Sequence, residues 1–125
     1  MITQIQSRQI KGKGRGKLLC FPTINLEIPK NLILADGIYA VWVKINEEKF
    51  LGALHFGPVP TFQEKERSLE IFLIDIKTKL PNKLSQPITV ELLKKIREIK
   101  NFSSIDKLKI QIDQDVKKIR SIILK

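Results

Sequence analysis

Apolar residues along the chain change their spacing once in a decisive way. Between Gly37 and Ile76 they crowd and alternate, and beyond Ser103 they recur every three or four residues. The segment "GIYAVWVKI" (37–45) is rich in β-branched and aromatic residues and predicts a strand. "NEEK" (46–49) predicts a turn, and "FLGALHF" (50–56) the returning strand of a hairpin. "GPVP" (57–60) breaks that pattern. "SLEIFLIDI" (68–76) predicts a third strand with both faces largely apolar. "KTKLPNKLSQ" (77–86) reads as a polar connection with a turn at Pro81-Asn82. "PITVELLKKI" (87–96) carries Ile88, Val90 and Leu92 in steps of two and predicts a strand, although "ELLKKIREIK" also has helical spacing. Residues 2–10, with Ile2, Ile5 and Ile10 among polar residues, give a weaker strand signal.

The last segment has a different period. Ile105, Leu108, Ile112, Val116, Ile119 and Ile123 form one apolar stripe, which predicts a helix of about 20 residues. Ser103 or Ser104 can cap it, and Ser103-x-x-Asp106 has the spacing of a capping box with Asp in place of Glu. Lys117, Lys118 and Arg120 in its later turns complement the helix dipole. Strands first and one terminal helix predict an antiparallel sheet with a helix on it. A small closed barrel solves the edge problem best in so short a chain.

Composition narrows the class. At 125 residues, with 42% hydrophobic and 29% charged residues, the chain fits one soluble domain, residues 1–125. No apolar run approaches the ~20 residues of a membrane span, and residues 1–9 lack the features of a signal peptide. A cytoplasmic location is the expectation. One cysteine, Cys20, and one histidine, His55, leave no internal disulfide and argue against a zinc site; nothing around either residue supports a Cys–His catalytic pair. The net charge of +10 suits an anionic partner, whether nucleic acid, a membrane surface or a nucleotide, but lysines are spread along the whole chain. The densest basic patch is residues 11–17.

Candidate chemistry clusters around that patch. In an extended segment Thr23 and Asn25 point to the same side and offer neutral, hard oxygens suited to Mg²⁺ that also holds ATP phosphates. Pro22 would stiffen the entry. A turn in which Thr23 and Asn25 bond their own backbone is the plainer reading of these residues alone. Gly12, Gly14 and Gly16 alternate with Lys11, Lys13, Arg15 and Lys17, so backbone N–H groups and cations could approach phosphate oxygens. The run is not a Walker A sequence, and a basic surface loop accounts for it equally. Glu70, within "LEIFLID", shares a strand face with Phe72, Ile74 and Ile76, where partial burial would suit a general base; a strand-end ion pair is the alternative. Asp75 lies on the opposite face and reads as solvent-facing.

Taken in order, "GKGRGKLLCFPTINL", "GIYAV", "GALHFGPVPTF", "LEIFLID" and "IREIKNFSSIDKLKIQIDQDV" resemble the riboflavin kinase family over nearly the whole chain. The Pro-Thr-x-Asn cluster behind an Arg-Gly step is the most specific part of the likeness. The resemblance implies a mainly β fold, a six-stranded antiparallel Greek-key barrel with a C-terminal α-helix. It implies transfer of the ATP γ-phosphoryl to the ribityl 5′-hydroxyl of riboflavin, giving FMN and ADP. It implies Mg²⁺, with Mn²⁺ or Zn²⁺ as alternatives, on Thr23 and Asn25, and Glu70 as the base. It places ATP beside Gly12, Gly14, Arg15, Gly16, Lys17, Pro22, Thr23 and Asn25, and the flavin beside Arg97 and Phe102. The sequence departs from the family where Cys20 replaces a glycine, Ile24 an alanine and Val59 an arginine, and where residues 80–86 read "LPNKLSQ" in place of Leu-Tyr-Gly.

The partners expected are riboflavin, FMN, ATP and ADP, with a monomeric chain, no membrane and a separate FMN adenylyltransferase acting alongside. Two other functions compete. One is a flavin- or nucleotide-binding protein on the same barrel without turnover. The other is a basic small-barrel nucleic-acid binder, disfavoured because the aromatic residues fall mainly in core-like strand positions.

Overall fold

The long hairpin forms where alternation is strongest. In a computed structural model, which describes residues 3–12, 21–76, 80, 84 and 87–124, β4 (Gly37–Ile45) pairs antiparallel with β5 (Glu48–Val59) along its whole length. The turn is tighter than the sequence suggests. Asn46 and Glu47 alone make it, with φ of 49° and 72°, the mirror-image geometry that matches the twist of paired strands. β5 also runs beyond "FLGALHF" to Val59, so "GPVP" bends the strand before ending it. The bend is an irregularity between Gly57 and Val59 in the pairing with β6 (Glu64–Ile74). Gly57 has φ 130°, and a Cβ there would meet Ile99 Cδ1 at 2.6 Å and Asp36 Cγ at 3.0 Å. Only glycine takes this position without displacing them. A short 3-10 turn, Pro60–Phe62, joins β5 to β6.

The remaining strands complete one antiparallel sheet. These are β1 (Gln4–Ser7), β2 (Gln9–Ile10), β3 (Thr23–Leu26) and β7 (Ile88–Arg97), in the order β1-β7-β4-β5-β6-β3-β2. The sheet has seven strands against the six implied by the resemblance. The difference lies in the first run, which passes at Arg8 from pairing with β7 to pairing with β3. Arg8 carbonyl accepts from Glu27 N–H at 3.0 Å, and its side chain pairs with Glu27 at 2.6 Å. β1 and β2 are thus consecutive in the chain yet lie at opposite edges of the order, so the sheet is curled.

Alternation divides the sheet into two faces. Ile24, Leu26, Tyr39, Val41, Val43, Leu54, Phe56, Leu69, Ile71, Leu73, Ile88 and Val90 fill the concave interior. Ala40, Leu51, Ala53, Phe72 and Ile74 face outward and meet the helix α1 (Ile105–Ile123) through Leu108, Ile112, Val116 and Ile119. Ser104, not Ser103, is the N-cap and accepts from Lys107 N–H at 3.2 Å, so the box spacing from Ser103 to Asp106 is not used. Ile76 leaves the outer face expected for it, because Asp75 at φ 57° turns the chain and Ile76 packs on the interior cluster. Among the described residues no helix is long and apolar enough to cross a membrane.

Candidate active site

Strand register sets the site. On β6 the odd residues Leu69, Ile71 and Leu73 are interior, which turns Glu70 and Phe72 outward. β3 pairs with β6 so that Asn25 stands opposite Glu70 and Thr23 opposite Phe72. Ile24 and Leu26 are buried inside, so Thr23 and Asn25 face outward beside Glu70. Pro22 extends this pairing, its carbonyl accepting from Leu73 N–H at 2.9 Å.

The row continues across the sheet. Glu70 is opposite His55 on β5, His55 is opposite Ile38 on β4, and Ile38 is opposite Arg97 on β7. Two register shifts between β4 and β7 place Arg97 there, the kind of irregularity that re-aims side chains. Asn25, Glu70, His55 and Arg97 therefore occupy one cross-strand line on the outer face. Glu70 and His55 are both buried, at 3% and 9% exposure.

Two hollows meet at Glu70. A groove of about 300 Å³ is lined by Lys11, Gly12, Asn25, Glu27, Arg67 and Glu70, among others. On the other side a narrow crevice of about 40 Å³ between sheet and helix is lined by His55, Glu70, Phe72, Arg97 and Asp115 with apolar neighbours. Val59 and Phe62 wall the same crevice, so apolar surface stands where the resemblance leads one to expect an arginine.

The groove fits a divalent cation held together with phosphates. A Cβ built at Gly12 would land on the Asn25 side-chain amide, so the bare backbone of Gly12 is what leaves that amide its space. Thr23 Oγ1 donates to Phe21 carbonyl at 3.2 Å, which leaves its oxygen lone pairs for another partner. That bond also realises part of the plainer turn reading of Thr23. Among the described residues no group of three or more His, Cys, Asp or Glu side chains could hold a metal. Neutral donors such as Thr23 and Asn25 need anionic co-ligands, which phosphates supply.

Arg97 and Phe102 sit together at the other end of the row. Arg97 Nε and Nη2 donate to the Asp115 carboxylate at 2.9–3.0 Å, and both side chains are largely buried. Gln111 Nε2 donates to Asp115 as well, at 3.0 Å. The Arg97 guanidinium lies 5.8 Å from the centre of the Phe102 ring. Phe102 N–H donates to Thr61 Oγ1 at 3.0 Å, tying this segment to the 3-10 turn.

Gly14, Arg15, Gly16, Lys17 and Cys20 lie outside the described residues, as does most of the 80–86 segment. Two residues of the row and its surroundings were missed in the sequence. In the sequence His55 is weighed only as a zinc ligand or as a partner for Cys20. Asp115 falls three residues after Ile112 and four before Ile119, on the buried stripe itself, so the helical period alone could have marked it.

Comparison with known proteins follows the same order of segments. The flavokinase family model, described as riboflavin kinase, matches residues 2–123. The bifunctional riboflavin kinase/FMN adenylyltransferase of Buchnera aphidicola subsp. Acyrthosiphon pisum (strain APS) is 36% identical over 118 residues, covering 92% of this chain and 37% of the relative. The RNA-binding riboflavin kinase RibR of Bacillus subtilis (strain 168) is 35% identical over 116 residues, covering 92% of this chain and 49% of the relative. The bifunctional enzyme of Escherichia coli (strain K12) is 34% identical, covering 89% of this chain and 35% of the relative. A crystal structure described as a macrolide-efflux protein from Streptococcus pneumoniae superposes with TM-score 0.77 at 27% identity, covering 94% of this chain and 38% of that one. The chain thus spans between a third and a half of the length of these curated relatives.

Proposed function

The chain belongs to the riboflavin kinase family, and from that membership we propose that it transfers the γ-phosphoryl of ATP to the 5′-hydroxyl of the riboflavin ribityl chain, giving FMN and ADP. The observation that carries the reading is the pairing of Asn25 with Glu70, which sets a buried carboxylate beside neutral oxygen donors at the edge of a groove.

In this reading Glu70 accepts the proton of the ribityl hydroxyl as its oxygen bonds to the γ-phosphorus. The bond from that phosphorus to the β–γ bridging oxygen breaks, and ADP leaves with the electron pair. Phosphoryl transfer asks for alignment and charge neutralisation more than for covalent help. A divalent cation, Mg²⁺ by the family's habit and held by Thr23 and Asn25, would supply charge neutralisation on the phosphates. Gly12 keeps the backbone close to Asn25 at the groove's edge, and Lys11 adds positive charge to the rim. Gly14, Arg15, Gly16 and Lys17 are proposed as the phosphate-side loop and Pro22 as its stiffened exit. Arg97 and Phe102 are proposed on the flavin side, where the apolar crevice begins. The sheet is proposed to close as a Greek-key barrel through the run from Gln4 to Ile10, which pairs at one end with β7 and at the other with β3.

The proposal covers the kinase step on residues 1–125 as one domain, acting as a monomer in the cytoplasm. FMN adenylylation, which the names of the Buchnera and Escherichia relatives also carry, would fall to a further catalytic unit. The test is incubation with riboflavin, ATP and Mg²⁺, following FMN by chromatography. Glu70→Gln should lower kcat by about 10²–10⁴-fold, the usual contribution of a general base, while the KM for ATP changes little. No FMN from the unaltered protein with any divalent metal would refute the reading. Unchanged turnover in the variant would remove Glu70 as the base.

A further inference from the structure

We propose that the outer face of the hairpin, beside the last turn of α1, holds a second binding site, separate from the proposed active site, for a small organic anion with a flat apolar body. The inference does not rest on the kinase reading.

The site consists of two adjoining hollows that share Trp42 and Lys49. The larger, about 360 Å³, is walled mainly by apolar side chains, Trp42, Phe50, Leu51, Ile123 and Leu124 among them. The smaller, about 220 Å³, is polar, with Gln4, Lys44, Lys49, Thr89 and Glu91 beside Trp42. Small-molecule sites are mostly apolar hollows of roughly 300–1,000 Å³ in which a few polar groups fix orientation, and the two hollows together have that character.

Alternation and register bring these groups together. Val41, Val43 and Ile45 are interior, so Trp42 and Lys44 face outward. Trp42 stands opposite Leu51 on β5 and Glu91 on β7, and Lys44 stands opposite Lys49 and Thr89. α1 ends at Ile123, which leaves Trp42 only half-buried and Leu124 exposed. Along β4, Trp42 is four residues from Ile38 of the cross-strand row, roughly 13 Å at the rise of a strand. The hollows therefore lie at the opposite end of the helix from the crevice beside Glu70, which Leu108 and Ile112 line.

The charges favour an anion. Lys44 and Lys49 face each other directly across the hairpin, and like charges so placed destabilise a strand pair. Among the described residues neither ammonium is in ion-pair contact with a carboxylate. The other charged groups lining the hollows are Asp75, Arg120 and Glu91. Arg120 Nε donates to Asp75 at 3.0 Å, so those two are neutral as a unit, and Glu91 alone stands against two lysines. An anionic group between Lys44 and Lys49 relieves their repulsion while its apolar body covers Trp42 and Leu124, and a flat ring gains further by stacking on the indole. A second copy of this chain is a poorer occupant, because it brings its own net charge of +10.

The chain has a single tryptophan, so the indole N–H resonance belongs to Trp42 without assignment. The experiment follows that resonance by NMR while the protein is titrated with naphthoate, and with naphthylmethanol as the neutral counterpart. Naphthoate should shift the resonance saturably, with a Kd of about 1 mM or below, and the alcohol should bind roughly fivefold more weakly or worse. Lys44→Gln with Lys49→Gln should weaken naphthoate by a similar factor and leave the alcohol unchanged, whereas Leu124→Ser should weaken both. All three positions are exposed, so the variants keep the core intact. No saturable shift, equal binding of the alcohol, or undiminished naphthoate binding in the double lysine variant would each overturn the proposal. A dimer in sedimentation that Leu124→Ser disperses would show that a second copy fills the larger hollow, and would overturn it as well.

Discussion

Asp115 is buried on the stripe that α1 turns to the sheet, and its carboxylate meets Arg97 at 2.9 Å. Removing one member of a buried pair strands the other, and the cost is typically about 3–5 kcal/mol. Asp115→Ala should therefore lose stability of that order in urea denaturation. Arg97→Met with Asp115→Leu, which leaves no stranded charge, should lose much less. A loss under about 1 kcal/mol in Asp115→Ala would mean that the pair does not fasten the helix. The same residue marks a limit of reading by sequence. Alternation along a strand states that Thr23 and Asn25 share a side and that Glu70 shares one with Phe72, while the roles proposed for them come with the family resemblance. His55 and Asp115 draw their meaning from neighbours on other elements, and no single segment contains that information. Arg97 was read as a flavin contact, yet its guanidinium is already engaged by Asp115, so its flavin role is proposed on position in the row alone.

At the scale of elements, the hairpin turn holds the clearest local tension. Glu47 adopts φ 72° in a two-residue turn, where glycine is favoured and a side chain costs free energy. Glu47→Gly should stabilise the protein by about 0.5–1 kcal/mol, measured as a higher denaturation midpoint with the same slope. A lower midpoint would show that Glu47 contributes contacts outweighing its backbone. The elements themselves were largely readable: the strands expected at 37–45 and 87–96, the helix expected after Ser103 or Ser104 and the strand through Glu70 all follow hydrophobic period. Boundaries were less so. β5 continues through Gly57 and Pro58 because β6 supplies partners on one side, which local turn propensity does not register. The break at Arg8 depends on two strands distant in sequence.

For the whole molecule, the order of strands sets an order of protection. β4, β5 and β6 each have neighbours on both sides, whereas β1 has four residues and β2 two, at the ends of the sheet. Native-state hydrogen exchange should find the slowest amides in β4 and β5 and the fastest strand amides in β1 and β2. Equal protection in β1 and β5 would contradict this order. Sheet order was not legible from the segments alone, since hydrophobic period gives faces but not neighbours; the edge problem suggested a small barrel, and the six-stranded Greek-key form came with the family resemblance. The alternation along β6 carries one more consequence, for lengths of chain rather than kinds of residue. Leu69, Ile71 and Leu73 point inside while Glu70 and Phe72 point out. Inserting or deleting a single residue at the start of this strand would exchange the two sets, sealing Glu70 in the interior and presenting leucine and isoleucine to the groove. Substitutions along β6 act one residue at a time, but a change of frame would dismantle the core and the proposed chemistry together.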